Sequence, residues 1–103
     1  MDHQTLTSIF SKFAGLEVPM EERTVEIKLR SGTKEYKQLH LKNDPDPVLQ
    51  ELEDLADQHG LTVRAWWPGI AGTDDFRKNR LNVFIEQDKR DGKWKINPSM
   101  VLG

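Results

Sequence analysis

Residues 66–83 read WWPGIAGTDDFRKNRLNV and join the end of one predicted strand to the start of another. Apolar side chains recur at every second position before and after this segment, which is the period of a strand with one buried face. Pro68 lacks the N–H group that a ladder requires and Gly69 turns freely, so the first strand ends there. A connection as long as residues 68–79 is usually functional or mobile in a compact domain. The predicted buried faces carry Leu61, Val63, Ala65 and Trp67 in the first strand, and Leu81, Val83 and Ile85 in the second.

A fixed set of residues in this segment matches a known pattern: Pro68-Gly69, Thr73, Asp75, Phe76-Arg77, Arg80 and Asn82-Val83. The pattern resembles the potato inhibitor I family of serine-protease inhibitors. Its bacterial and fungal relatives carry a Pro-Gly, a Thr-x-Asp-aromatic-Arg and an Arg-Leu-Asn. The resemblance covers about residues 44–103, including a helix ahead of the first strand, and leaves residues 1–43 unexplained.

The resemblance implies that the loop enters a protease active site as an extended, substrate-like strand that is cleaved slowly because it is held rigidly. Preorganisation of this kind raises affinity, since binding freezes less conformational freedom. Arg80 and Asn82 are implied to brace the loop from the following strand. A charge-assisted bond from Arg80 to Asp75 is one interpretation, and a solvated arginine is the other. The implied reactive loop is Gly72, Thr73, Asp74, Asp75, Phe76 and Arg77, with Asp74-Asp75 as the scissile bond.

Asp74 departs from the side chains that most serine proteases accept at the specificity-determining position, which are hydrophobic or basic. An apolar or acidic pocket would reject an aspartate. Two alternatives remain open: the target prefers acidic residues, or the fold has been kept while inhibition was lost. Gly69 and Gly72 also add conformational freedom to a loop that ought to be stiff.

Length and composition predict a single domain spanning residues 1–103 of a globular protein. The net charge of −2 gives no general attraction to nucleic acid or to an acidic membrane surface. The chain has no cysteine, so disulfides and thiol chemistry are excluded. No apolar run approaches the roughly 18 residues of a membrane span, and the polar start Met1-Asp2-His3-Gln4 lacks the basic-then-apolar pattern of a signal peptide. We therefore expect a cytoplasmic protein without a cofactor.

The remaining segments predict an α+β fold with one mixed sheet, helices packed on it and the long exposed loop. A helix over 5–14, capped at Thr5 or Thr7, and a hairpin over 23–30 and 33–41 form an N-terminal extension (1–43). The hairpin is expected to turn Val25, Ile27 and Leu29 inward. A helix over 47–59 with an aspartate cap, and strands over 61–67, 81–87 and 93–96, form the inhibitor-like part (44–103). The resemblance also implies that the two strands flanking the loop pair in parallel.

Other functions compete with protease inhibition. Trp66 and Trp67 are consecutive on a strand, so one of them faces away from the layer that buries the other. It is either covered elsewhere or exposed as the aromatic anchor of a protein-interaction module. A third alternative is weak binding of single-stranded nucleic acid, by a patch that the acidic face of the second helix opposes. The patch would comprise Arg64, Trp66, Arg77, Lys78 and Arg80, with Lys34, Lys37 and Lys42 as an extension.

An enzyme is not expected, because the three histidines, His3, His40 and His59, lie on a terminus, a strand and a helix end. Asp74 and Asp75 are adjacent and point apart in an extended loop, so they form no shared-proton pair. Asp44-x-Asp46 is better explained as helix capping than as a metal site.

Overall fold

The computed structural model describes residues 2–70 and 77–103 of the 103-residue chain. Across these two ranges the fold is α+β, with two α-helices and two separate sheets. The helices are α1 (His3–Phe10) and α2 (Pro47–Gln58), and a 3-10 helix (Ser11–Phe13) continues α1. The strands are β1 (Met20–Leu29), β2 (Gly32–Leu41), β3 (Thr62–Trp66), β4 (Arg80–Gln87), β5 (Trp94–Ile96) and β6 (Val101–Leu102).

Helix α2 begins as its sequence predicts. The carboxylate of Asp46 accepts hydrogen bonds from the backbone N–H groups of Val48 and Leu49, at 2.9 and 3.1 Å. Pro47 follows in the first turn, where its missing N–H costs nothing. The helix stops just before Gly60, whose φ of 70° is a conformation that glycine adopts without strain.

Helix α1 begins earlier than the sequence predicted. Its cap is Asp2, whose Oδ1 accepts from the backbone N–H of Thr5 at 2.7 Å. The predicted cap at Thr5 or Thr7 was wrong, because an aspartate three residues before Thr5 supplies the acceptor. The Thr7 hydroxyl instead donates to the carbonyl of His3, at 2.9 Å. The predicted single helix over 5–14 is also replaced by α1 and the shorter 3-10 helix.

The prediction of one mixed sheet was wrong, because β1 and β2 pair only with each other among the described strands. The second sheet is mixed: β4 pairs in parallel with β3 and antiparallel with β5 and β6. Residues 15–18 occupy the outer edge of β5, where the N–H of Val18 donates to the carbonyl of Trp94 at 2.8 Å. The N–H of Gly15 donates to the carbonyl of Ile96 in the same ladder, also at 2.8 Å. This edge is therefore already paired before the hairpin begins.

The hydrophobic core lies on the face of β4 that carries Leu81, Val83 and Ile85, as the alternation predicted. Both helices bury side chains against this face, and the ring of Phe10 in α1 packs edge-on against His59 at the end of α2, with centroids 6.3 Å apart. The completely or almost completely buried apolar residues are Leu6, Phe10, Phe13, Val18, Leu49, Leu52, Ala56, Leu61, Leu81, Val83, Ile85, Ile96 and Met100.

The hairpin departs from its predicted burial. Ile27 and Leu29 were expected to face inward, but they are 42% and 46% exposed. Alternation in a sequence shows that a strand has an apolar face, but it does not show that another layer covers that face. Only the base of the hairpin, with Met20 and Leu41, packs against the core. Tyr36 is exposed and its register is regular, so the strand has no bulge there.

The turn between β4 and β5 is held by a lysine between two aspartates. Lys95 Nζ lies 2.9 Å from Asp88 Oδ2 and 2.8 Å from Asp91 Oδ2. The pKa of Asp88 is lowered from 3.8 to about 2, first because the backbone N–H of Arg90 donates to its carboxylate and then because Lys95 does. The Lys95 ammonium, followed by the backbone N–H of Lys93, also lowers the pKa of Asp91.

We expect the core and the hairpin to respond differently to the same isoleucine truncation. Ile85→Ala removes a side chain that is 1% exposed, so the free energy of unfolding should fall by about 2–5 kcal/mol. Ile27→Ala, the matched control on the hairpin, should cost at most about 1 kcal/mol. Urea unfolding of both variants measures the difference, and equal losses would contradict this assignment of the core.

The turn between β4 and β5 should contribute to stability in a pH-dependent way. A carboxylate whose pKa is lowered by folding stabilises the fold above its ordinary pKa, and this contribution is lost as the pH falls. For Asp88 the loss runs from about pH 4 down through about pH 2. Lys95→Met should therefore destabilise the protein at neutral pH, and its deficit relative to the unsubstituted chain should shrink toward pH 2. Urea midpoints between pH 2 and 7 measure this deficit, and Lys93→Met, a nearby exposed lysine, should show no such trend.

Candidate functional site

The site is built on the parallel pairing of β3 with β4, which places Thr62 beside Arg80 and Trp66 beside Phe84. Parallel neighbours start at the same end of the sheet, so the chain leaving β3 must travel back along the sheet before β4 begins. For five paired residues this distance is roughly 16 Å. Residues 67–79 make the connection without a helix in their described part, and they include the predicted binding loop.

Both described ends of the connection are turns, and the second turn is hydrogen-bonded to the start of β3. At its start, the N–H of Ile70 donates to the carbonyl of Trp67 at 3.2 Å, and Gly69 between them has a φ of 87°. A proline followed by a glycine with positive φ is the sequence of a type II turn. At its end, the N–H of Arg80 donates to the carbonyl of Arg77 at 3.2 Å. The carbonyl of Asn79 accepts from the N–H of Thr62 at 2.8 Å, which fixes the end of the connection to the start of β3.

The side-chain amide of Asn82 joins three strands at the root of this connection. Its Oδ1 accepts from the indole Nε1 of Trp66 in β3 at 2.9 Å. Its Nδ2 donates to the carbonyls of Gly103 and Val101, at 2.8 and 3.3 Å. Asn82 is 7% exposed, so the amide stands in a nearly water-free position with both of its polar atoms bonded.

Arg80 lies on the same face of β4 and shares the acceptor of Asn82. Its Nε donates to the carbonyl of Gly103 at 2.8 Å, while its backbone carbonyl accepts from the N–H of Gly103 at 3.0 Å. The parity of the strand therefore places Arg80 and Asn82 opposite the core, as predicted. Asn82 is more deeply buried than an outward-facing position implies, because Trp66 and the C-terminal residues cover it.

The two consecutive tryptophans point to opposite sides of the sheet, and each is half-buried. Trp67 packs against the core, and its Nε1 donates to the carbonyl of Leu39 in the hairpin at 2.9 Å. Trp66 lies on the other side, with the guanidinium carbon of Arg64 5.1 Å from its ring centroid. An open groove of about 230 Å³ is lined by both indoles and by Phe84. Both indoles are thus engaged within the chain, and neither is a fully exposed anchor.

The predicted reactive residues Gly72, Thr73, Asp74, Asp75 and Phe76 lie outside the described residues, and so does one partner of the predicted Arg80–Asp75 bond. These assignments stay predictions. The last predicted loop residue, Arg77, is exposed and begins the turn that leads into β4.

The residues proposed for other functions are dispersed. His3 and His59 belong to the two helical regions, and His40 bonds to Gln38 in the hairpin at 3.0 Å. In residues 2–70 and 77–103, no group of three or more His, Cys, Asp or Glu side chains is arranged to hold a metal ion. No helix in the same ranges has the length and the apolarity needed to cross a membrane. Of the predicted basic patch, Arg64 and Arg80 share a sheet face with Trp66, whereas Lys34 and Lys37 lie on the hairpin.

The sequence did not predict that the C-terminal residues 101–103 contribute to this site. Strand β6 pairs Leu102 with Leu81 and Val101 with Asn82. It brings Gly103 to Arg80 and Asn82, the two side chains that the resemblance implies to be braces. Strand β6 has only two residues, which are too few to show the period of a strand. The sequence pattern therefore does not predict that β6 pairs with β4.

Comparison of the chain with protein-family models, with curated proteins and with solved structures finds no match.

Replacing Asn82 should damage the fold through unsatisfied polar groups. Asn82→Ala leaves the indole N–H of Trp66 and the carbonyl of Gly103 without this partner, and each such loss costs about 1–3 kcal/mol when the group stays buried. We expect a lower free energy of unfolding in urea and a shifted Trp66 indole N–H resonance in NMR spectra. Asn43→Ala, at an exposed asparagine, is the matched control and should change neither. An unshifted indole resonance in Asn82→Ala would contradict the assigned hydrogen bond.

Proposed function

We propose that the protein binds other proteins through residues 68–79 and inhibits serine proteases by presenting Asp74-Asp75 as a substrate-like bond. In this proposal Asp74 enters the specificity pocket of the protease, as the resemblance to the potato inhibitor I family implies. Thr73, Phe76 and Arg77 provide the flanking contacts. The matching target is a protease that prefers acidic side chains, because an aspartate is accepted only where its charge is paired.

The observation that carries the proposal is the hydrogen-bond network of Asn82, Arg80 and Gly103 at the root of the connection. Asn82 also reaches back to β3 through Trp66, so the strands before and after the connection are joined by side chains as well as by the ladder. A substrate-like loop inhibits only if its ends are held, since a floppy peptide loses more freedom on binding and is released after cleavage. Because the chain has no cysteine and so no disulfide, hydrogen bonds and packing must hold the ends of the loop.

The turns at the two ends of the connection give further support. The Pro68-Gly69 turn closely follows β3 and the Arg77–Arg80 turn leads into β4, and Trp67 is anchored to the hairpin by its bond to the Leu39 carbonyl. The described residues at both ends of the connection are therefore fixed by hydrogen bonds. A connection between parallel strands without a described helix is also long enough to present several consecutive residues to a partner.

The test is a change of protease specificity by one substitution. The unsubstituted protein should inhibit serine proteases that cleave after acidic residues, and Asp74→Leu should transfer inhibition to proteases that cleave after large apolar residues. We expect each inhibition constant to change by on the order of 100-fold, because a charge buried without a partner is costly in an apolar pocket. Titration of both protease classes with both proteins measures the exchange.

Asp57→Leu is the matched control, since it removes an exposed aspartate from α2, outside the connection. It should inhibit as the unsubstituted protein does. Rapid cleavage between residues 74 and 75 without inhibition would overturn the proposal, and so would a failure of both proteins to inhibit either protease class.

A further inference from the structure

The hairpin of β1 and β2 changes its apolar face halfway along its length. Near the base, Met20 and Leu41 stand opposite each other on one face and pack against the core. Toward the turn, the apolar side chains stand on the other face. There Val25 is opposite Tyr36, and Ile27 and Leu29 follow at every second position on the same side. Ile27, Leu29 and Tyr36 are each more than 40% exposed.

The free edge of the hairpin is that of β1. Among the described residues β1 pairs with β2 alone. The β2 edge faces the body of the protein, because the carbonyl of Leu39 accepts from the indole of Trp67 at 2.9 Å. Two-stranded ribbons are marginally stable by themselves, and an unpaired edge with apolar side chains is a template for another strand.

We propose that β1 pairs antiparallel with β1 of a second copy of this chain, on a twofold axis at Ile27, to form a four-stranded intermolecular sheet. This inference is independent of the proposed protease inhibition, because the hairpin lies outside the connection between β3 and β4. The charge pattern of β1 identifies a second copy of this chain as the partner, since the β1 edge is complementary to itself when the pairing is centred on Ile27.

The register follows from backbone geometry and charge. Outward-pointing backbone groups belong to every second residue of β1, so a symmetric pairing must be centred on a residue. Centring on Glu26 or on Lys28 would place that residue opposite itself, with like charges together. Centring on Val25 would pair Glu22 with Lys28, but it would also place Arg23 opposite Ile27 and Glu26 opposite Thr24, so the Glu26–Glu35 repulsion would not be offset. Centring on Ile27 places each Glu26 opposite a Lys28, and each Val25 opposite a Leu29.

Glu26 gives a second electrostatic reason for the pairing. Within one chain it stands directly opposite Glu35 in β2, an arrangement that destabilises a ladder. In the dimer, Lys28 of the second copy stands on the other side of Glu26 and offsets this repulsion. On the opposite face, half-buried Val25 and exposed Ile27 and Leu29 from both copies become one continuous apolar strip.

Sedimentation equilibrium of the full chain at low salt tests the pairing, from about 10 μM to about 1 mM, which spans the affinities of small interfaces. We expect a reversible monomer–dimer equilibrium. Glu26→Lys creates two facing Lys–Lys pairs and Lys28→Glu creates two facing Glu–Glu pairs, so each should raise the dimer Kd by on the order of tenfold or more. The two variants mixed should form a heterodimer, because every facing pair is then opposite in charge, and Glu26→Lys with Lys28→Glu in one chain should also restore dimerisation.

Glu35→Lys is the matched control, because it makes the same charge change on the same face and also relieves the Glu26–Glu35 repulsion, but on β2. It should raise the dimer Kd by clearly less than Glu26→Lys does, since residue 35 is not opposite the second copy and the substitution removes only the Glu26–Glu35 repulsion that dimerisation offsets. Thermal unfolding at low concentration checks that each variant folds. A monomer over the whole concentration range would overturn the proposal and leave the edge to a strand of a different protein. Equal weakening by Glu35→Lys and Glu26→Lys, or no heterodimer in the mixture, would also overturn it.

Discussion

The parallel pairing of β3 with β4 is the constraint on which the arrangement of this molecule depends. Strands that run in the same direction cannot be joined by a tight turn, so the chain must supply a long connection between them. The pairing also sets Asn82 beside Arg64 and next to the indole of Trp66. The same register turns Leu81, Val83 and Ile85 to the helices on the other face. The core and the candidate site therefore lie on opposite faces of the same strand, β4, and alternate residues of this strand belong to each.

Much of the fold could be predicted because local periods and caps are physical properties of short segments. Asp46 and Pro47 predict the start of α2, and the alternation in residues 61–67 and 81–87 predicts β3 and β4. Long-range pairing could not be predicted in this way. Nothing in residues 15–18 shows that they will occupy the edge of β5, and that pairing accompanies the separation of the hairpin from the larger sheet. The exposure of Ile27 and Leu29 has the same origin, since a pattern does not show which layer covers it.

For the candidate site, the alternation of the strand predicted only which face of β4 carries each side chain. Alternation in β4 places Arg80 and Asn82 opposite the core side chains, and the structure agrees. The burial of Asn82 depends on Trp66 from one neighbouring strand and Gly103 from the other, and no local pattern reports either contact. A buried amide whose two polar atoms are both hydrogen-bonded restricts the position of its neighbours more than an apolar side chain does. The reason is that an amide without hydrogen-bond partners would be costly there. The site is thus a product of three separated segments of the chain.

The opposed orientations of Trp66 and Trp67 give the protein two built-in optical reporters. The indole of Trp66 senses β4 and the C-terminal residues, whereas that of Trp67 senses the base of the hairpin. Fluorescence from chains that lack Trp94 and retain only one of these two indoles would therefore distinguish detachment of the hairpin from opening of the larger sheet. Two adjacent residues thus allow a direct measurement of whether the two sheets open together or separately.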